Sequence, residues 1–490
     1  MNHLLGLLVL AAPGNPDLPA IDESIRKAMA VWNVPGCAVV IVRGDRVVYC
    51  QGHGVRQAGK PDPIRSDTLF PLASCSKAFT TAAIAHLAEQ GKLSWDDPLS
   101  KHLPAFRMED PYLTTRVTLR DAACHRSGLA GHDLIWYRAP WDMREAIQKL
   151  RFFPLTRPFR TTVQYQNTLF AAVGFAAAEA ASCKWEHLLQ KSLLDPLEMS
   201  STFTTFGPAE KTGRLAVGHR LDDRGEIRVA PREDSPHPNP ALSLFSTATD
   251  LGTWLRFQLR QGRPLVAPAF LAETQSPQMV VRLTPTQAIV FPDTTQVSYA
   301  LGWTVHDDRG NLVLSHGGAI DGFRVHLTLL PGKQLGLAVL ANRESTPMPA
   351  ALSSLLVDQI LAQPYRDWHG LHRKMQNQLD AEARKRQLEL ASRREKGIPC
   401  PHSASALVGV YRHPAYEPIR IQSRPGNPRL FWHWREETLP LDPVDKNTFL
   451  ISGEVVGTAL VTFQTSEAGE VTGLQVEGRL GQVFAKQVGK

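Results

Sequence analysis

Two β-branched runs near the start of this chain and two more after residue 320, with a long helical stretch between them, constrain the fold most. Cys37-Ala38-Val39-Val40-Ile41-Val42 is a nearly continuous apolar run of strand length, Gly44-Asp45 reads as a turn, and Arg46 to Gln51 returns as an antiparallel partner. Val313-Leu314-Ser315, Arg324 to Leu330, the turn Pro331-Gly332-Lys333 and Leu335 to Leu340 repeat that texture far downstream. Between them the apolar spacing is helical: Arg116 to Ala123, Trp141 to Leu150, Thr168 to Ala181, Glu186 to Leu193 and Thr249 to Gln258. Early and late strands around a helical middle predict an α+β fold: one antiparallel sheet flanked by helices and closed by both ends of a domain, with an all-helical subdomain inserted.

A helix over Ile21 to Trp32 precedes the first strand and stops at Val34-Pro35-Gly36. Trp368 to Lys396 reads as a charged, solvated linker helix, with a basic partner-binding or membrane-surface helix as the rival reading. From Leu407 the pattern changes to short alternating strands: Leu407 to Tyr411, Ile419 to Gln422, Leu430 to Trp434, Thr448 to Ile451, Ala459 to Phe463, Leu474 to Val476 and Val483 to Val488. These predict a small C-terminal β-sandwich or β-barrel. The expected division is a leader at 1–17, an α+β domain at 18–365, the linker at 366–399 and the barrel at 400–490. A chain of 490 residues with 43% hydrophobic and 21% charged content has the length and composition for such an arrangement.

Leu4 to Ala12 is an apolar run of signal-peptide length followed by Pro13-Gly14, too short to span a bilayer, so the expectation is export to a periplasmic or extracellular compartment. Because Met1-Asn2-His3 carries no Lys or Arg, cytoplasmic residence is the alternative. No segment reads as a transmembrane helix. The net charge of +7 is spread over a large surface without a Lys/Arg block interleaved with aromatics, which argues against nucleic acid as a partner. Six cysteines lack metal-ligand spacing, so neither a metal nor a cofactor is expected; Cys37 and Cys50, on neighbouring strands, can pair if the protein is exported. Oligomeric state has no sequence signal.

Chemistry concentrates at three places. If a helix begins near Ser74 in Leu72-Ala73-Ser74-Cys75-Ser76-Lys77-Ala78-Phe79, the Ser74 hydroxyl and Lys77 amine share a face, a candidate activated nucleophile. The same spacing at Ser24 to Lys27 shows how readily it arises by chance. In Tyr165-Gln166-Asn167 a phenol and a carboxamide two residues apart can face one cleft, and a phenol beside an ammonium can serve as a base; the bland reading makes Asn167 a cap of the following helix. In Ser315-His316-Gly317-Gly318-Ala319-Ile320-Asp321-Gly322 the glycines allow close approach of a substrate to the backbone, with His316 placed to donate into the cleft; the bland reading is a glycine-rich bulge with a solvent-facing His.

In this order, Ser74-x-x-Lys77, Tyr165-x-Asn167 and His316-x-Gly318 resemble the motifs of the serine β-lactamase and penicillin-binding-protein superfamily, in its class C-like, esterase and D-aminopeptidase branch. Flanking stretches agree: Leu93 to Pro98, His125-Arg126-Ser127-Gly128-Leu129, Ser246 to Leu251 and Leu301-Gly302-Trp303. The resemblance covers about 18–362, and the last ninety or so residues resemble, more loosely, the lipocalin-like barrel some of these hydrolases carry. It implies Ser74 as the nucleophile of an acyl-enzyme, Lys77 as its proton partner, Tyr165 as the base, Asn167 as the contact for an acyl amide, and the N–H groups of Ser74 and Ala319 as the oxyanion hole. Lys211-Thr212-Gly213 copies the third motif of many relatives, but no strand precedes its polar loop and we read it as chance.

Two departures bear on substrate. His316 stands where many relatives have Lys, so a fixed cation for a substrate carboxylate is missing there unless Arg324 or Arg343 substitutes. Leu242 and Ser243, in Ala241-Leu242-Ser243-Leu244, stand where many relatives have a glycine pair and are expected to narrow the cleft. The resulting expectation is a serine hydrolase of small ester or amide substrates, D-amino-acid peptides included. The alternatives are a β-lactamase or D-alanyl-D-alanine carboxypeptidase, and a non-catalytic binding protein on the same fold.

Overall fold

The computed structural model describes residues 17–232, 237–395, 400–424 and 427–487; the apolar run Leu4 to Ala12, and with it the expected signal peptide, lies outside them. Helix α1 (Leu18–Trp32) starts where the Asp17 carboxylate accepts from Ala20 N and buries Ile21, Ile25, Ala28 and Trp32, a stripe at helical spacing. Ser24 in α1 accepts from the Gln359 amide and Lys27 pairs with Glu23, so the duplicated Ser-x-x-Lys spacing is structural there.

Eight strands make the main sheet: β1 (Gly36–Arg43), β2 (Arg46–Gly54), β3 (Met279–Val281), β4 (Val297–Tyr299), β5 (Thr304–Asp308), β6 (Asn311–Ile320), β7 (Phe323–Leu330) and β8 (Leu335–Ala341). Their order is β2-β1-β8-β7-β6-β5-β4-β3, every pair antiparallel. The two ends of the domain meet at β1 and β8, where Cys37 lies opposite Ala341 and Arg43 opposite Leu335. The apolar run of β1 is explained by burial on both faces: Ala38, Val40 and Val42 enter one core cluster, and Cys37, Val39 and Ile41 the other. This parity also separates the cysteines. Cys50 lies opposite Val40 and packs on the face away from Cys37, and both remain free thiols, contrary to the pairing considered above.

Helices α2 (Ser76–Glu89), α3 (Asn167–Ala180) and α4 (Ala248–Leu259) pack in the first cluster, while α1 and α5 (Met348–Ile360) cover the opposite face. The inserted segment is mostly helical, yet it also holds the strand pair His219–Leu221 with Ile227–Val229 and one strand of the pair Phe70–Pro71 with Phe245–Ser246. Lys211-Thr212-Gly213 ends a short helix, Phe206–Lys211, with Gly213 at φ +68°, so what looked like a polar loop is a helix stop.

Helix α6 (Trp368–Glu395) is exposed along its middle, but its first turns dock: Trp368 Nε1 donates to Asp358 at 2.6 Å and Trp32 Nε1 to His369 at 2.9 Å. Beyond it nine strands, β9 (Gly409–Arg412), β10 (Ile419–Arg424), β11 (Asn427–Trp434), β12 (Glu437–Pro440), β13 (Asp442–Asp445), β14 (Thr448–Gly453), β15 (Gly457–Thr465), β16 (Val471–Val476) and β17 (Gln482–Lys486), form a nearly closed barrel ordered β12-β11-β10-β9-β17-β16-β15-β14-β13. The two strands that periodicity missed, β12 and β13, are four residues each and contain Pro440 and Pro443. Tyr411, Trp432, Phe463 and Phe484 fill its interior.

Candidate active site

A 3-10 turn, Ala73–Cys75, runs directly into α2, which sets Ser74 one turn ahead of Lys77. Ala73 sits at φ +46°, a left-handed conformation that a non-glycine residue holds only when its surroundings enforce it. Lys77 is fully buried, and its Nζ donates to Ser74 Oγ at 3.1 Å, Asn167 Oδ1 at 2.7 Å and Ala241 O at 3.1 Å. Burial pulls its pKa down to about 7, against the pull of Asp133 and Cys75 in the other direction. Two of the three partners are carbonyl oxygens, which can only accept. A neutral Lys77 therefore spends both N–H bonds on Asn167 and Ala241 and turns its lone pair toward Ser74 Oγ.

Tyr165 has 39% of its surface exposed at the cleft mouth, while its hydroxyl reaches inward to the Ser74 and Tyr299 side chains. Burial raises its pKa, outweighing those hydrogen bonds, and the Lys77 amine lies over its ring, 4.7 Å from the centroid. A phenol serving as a base, as expected from sequence, needs a lowered pKa, the reverse of what burial produces. Asn167 opens α3, but the cap is Gln166, whose Oε1 accepts from Leu169 N at 3.0 Å. Asn167 is released for the site: its Oδ1 takes Lys77 and its Nδ2 donates to Asp133 at 3.0 Å.

Strand β5 pairs with β6 only as far as Ser315, so the glycine-rich end of β6 runs on beside the Ser74 turn. A Cβ on Gly318 would stand 2.2 Å from Leu72 O, which is why this position is glycine and why the strand can lie against the Leu72–Ala73 backbone that leads into Ser74. His316 does not donate into the cleft. It is buried, its Nε2 lies 2.8 Å from the Tyr299 hydroxyl and its Nδ1 lies 2.8 Å from Gly317 O. Since a carbonyl can only accept, the proton sits on Nδ1 and Tyr299 donates to Nε2. Burial and Lys77 drive the His316 pKa down to about 3, so the ring is neutral.

The cleft beside these groups holds about 500 Å³, walled by Asp133, Tyr137, Asn167, Leu242, Ala319 and Asp321 among others, with Arg479 reaching in from the barrel. Leu242 lines it, whereas Ser243 donates to Thr204 O at 2.7 Å. Neither Arg324, which donates to Phe323 O, nor Arg343, buried against Trp32 O, lines this wall. Among the described lining residues Arg479 is the one guanidinium or ammonium. An apolar hollow adjoins, sharing Trp136, Leu242 and Ile320. Structure adds residues that the motifs did not single out. Asp133 and Tyr299 sit on the site with no sequence signal of their own, and His125, within a stretch noted for its family likeness, packs tilted against Tyr165 at 4.2 Å between ring centroids. The described residues include no cluster of His, Cys, Asp and Glu suited to a metal ion.

Residues 21–362 match the family model described as Beta-lactamase, and residues 393–488 match one described as a domain of unknown function, DUF3471. The chain is 27% identical to "Unguisins hydrolase ungD'" of Aspergillus campestris over 91% of its own length and 86% of that protein's. It is 26% identical to "Protein flp" of Staphylococcus aureus strain N315, over 70% and 66% respectively. Among solved structures, the octameric penicillin-binding protein homologue from Pyrococcus abyssi superposes with a TM-score of 0.63 at 18% identity, covering 96% of this chain and 100% of that one. A class C beta lactamase from Rhodobacter sphaeroides gives 0.56 at 21%, covering 70% and 98%. These two likenesses are of fold.

Proposed function

From the premise that the chain belongs to the beta-lactamase family of serine hydrolases, we propose that it cleaves small esters or amides, D-amino-acid peptides among them, through an acyl-enzyme on Ser74. The observation that carries this reading is the three-way contact of buried Lys77, two carbonyls and the Ser74 hydroxyl. In the proposed cycle neutral Lys77 takes the Ser74 proton as Oγ attacks the acyl carbon. The amides of Ser74 and Ala319 receive the oxyanion, at the start of α2 where N–H groups lack intrahelical acceptors. Tyr165, protonated at neutral pH, hands its proton to the leaving group and is reprotonated at the expense of the Lys77 ammonium, so that Lys77, neutral again, takes a proton when water attacks the ester.

Neutral, buried His316 favours substrates without an obligatory carboxylate, and the relative named as an unguisins hydrolase favours a hydrolytic outcome. One observation favours a second reading: Arg479 on the cleft wall is a cation that could meet the carboxylate of a β-lactam or a terminal D-alanine. Ser74→Ala should abolish turnover of p-nitrophenyl esters, and intact-mass spectrometry should show the acyl adduct on wild type alone. Retained turnover would falsify the nucleophile. Fast nitrocefin hydrolysis by the wild type would move the substrate class to β-lactams. Export, resting on the Leu4 to Ala12 run, is part of the same proposal, and the mature N-terminus of the secreted chain tests it.

A further inference from the structure

The barrel does more than sit beside the catalytic domain, because one of its hairpin tips is bonded into the back of the cleft. Arg435, between β11 and β12, is held at φ +53° with its side chain 6% exposed. Glu417 fixes the guanidinium through Nε at 2.9 Å and Nη2 at 3.3 Å, and Arg435 lies over the ring of Trp434. From that anchor Nη2 donates to Leu134 O at 2.6 Å and Nη1 to Tyr137 O at 2.5 Å. Both carbonyls belong to the short segment that carries Asp133. That segment is strained, with His132 at φ +48° and Arg138 at φ +51°, and the barrel grips it again where Arg138 meets Glu454 at 3.2 Å. Inside the cleft Asp133 accepts from Asn167 Nδ2 at 3.0 Å and from Trp136 Nε1 at 2.9 Å, and Asn167 in turn accepts from Lys77.

We propose that Arg435 is a positioning residue for the hydrolase site: the barrel holds the 132–138 segment so that Asp133 orients Asn167, and through it the Lys77 amine, at Ser74. This rests on the Ser74 and Lys77 roles proposed above. A forked guanidinium suits the task because two carbonyls and a carboxylate must be met at fixed angles, which a single ammonium cannot do. Lys77 faces Cys75 from the 3-10 turn before its helix, Asp133, His125 and Tyr165 from the inserted segment, and His316 from β6. Of these Asp133 is the carboxylate that favours the charged amine. Letting Asp133 drift therefore both loosens Asn167 and makes Lys77 easier to deprotonate.

The test uses the full chain and two readouts: the second-order rate of Ser74 labelling by a fluorophosphonate, and kcat and KM for p-nitrophenyl butyrate, each across pH. Arg435→Met should lower kcat and the labelling rate about ten- to hundredfold with KM little changed. The acidic limb of the labelling rate should move to lower pH. Asp133→Asn should do the same, and the double variant should lose no more than the worse single one, because both act through one path. Should Arg435→Met fail to fold, Arg435→Lys, which keeps the charge and loses the fork, is expected to show a smaller loss with the same limb shift. Losses that multiply in the double variant, or an unmoved acidic limb in a folded Arg435 variant, would overturn the positioning role while leaving the hydrolase reading intact. A wild type that never labels at Ser74 overturns both.

Discussion

Gly318→Ala is the sharpest test of how β6 meets the Ser74 turn. The added Cβ would stand 2.2 Å from Leu72 O, 3.2 Å from Leu72 C and 3.4 Å from the Ala73 Cβ. An ordinary carbon–oxygen contact needs roughly 1 Å more, and both obstacles are backbone, so strand and turn must separate by about that amount. An amide aimed at an oxyanion works at about 2.7 to 3.1 Å, and a further 1 Å takes it out of bonding range. Losing one such donor costs on the order of 100- to 1,000-fold in kcat, about 3 to 4 kcal/mol, while overpacking costs about 1 to 3 kcal/mol of stability. The expected outcome is a folded enzyme whose kcat for a p-nitrophenyl ester falls by at least two orders of magnitude with KM nearly constant. Stopped-flow acylation and a thermal melt separate the two effects. A variant that keeps its fold and kcat within about threefold would refute the reasoning, since the Ala319 amide could not then be the donor.

With Lys77 as the base and its pKa drawn down to about 7, the protonated amine is inactive, so the Ser74 labelling rate should fall about tenfold per pH unit below neutrality and level off above it. A flat profile between pH 5 and 8 would remove Lys77 from that role. Asp121, fully buried, accepts from Arg126 at 2.6 Å and Arg160 at 2.7 Å and holds the His125 to Gly128 turn that backs Tyr165. Asp121→Asn leaves those guanidiniums without their carboxylate and should cost about 3 kcal/mol or more in chemical denaturation. These partners lower the Asp121 pKa, so its stabilisation is present above the ordinary carboxylate range and fades as pH falls through the folded value; the variant should accordingly lose acid sensitivity along with stability.

Local chemistry made some residues legible and left others silent. Ser74 and Lys77 could be paired from spacing because a helix fixes what lies three residues on, and Gly318 stood out because close backbone approach demands glycine. Roles read less well than places. The Lys77 amine is pulled down and the Tyr165 phenol pushed up in pKa because burial, which no local pattern encodes, dominates both. Asn167 looked like a helix cap until Gln166 was found doing that job. His316 is at its predicted position, but its ring is consumed by Tyr299 and Gly317. Asp133 and Arg435 carried no signal, since their meaning comes from contacts across 34 residues in one case and about 300 in the other. Strands β3, β4, β5, β12 and β13 were missed because three to five residues give too short a period to count.

The pairing of β1 with β8 has a consequence for the protein's life before it is finished. A ribosome delivers Ser74 and Lys77 early, but the partner of Cys37 is Ala341, and the strand that runs beside the Ser74 turn comes nearly as late. Closing so long a loop must precede the contacts that stabilise it, which slows folding more than it weakens the final state. The helical middle can take shape during synthesis, while Ser74 waits for the strand that carries Ala319. On the acyl-enzyme reading proposed above, a nascent or prematurely ended chain is an inert hydrolase, its serine harmless until the far end of the sheet arrives.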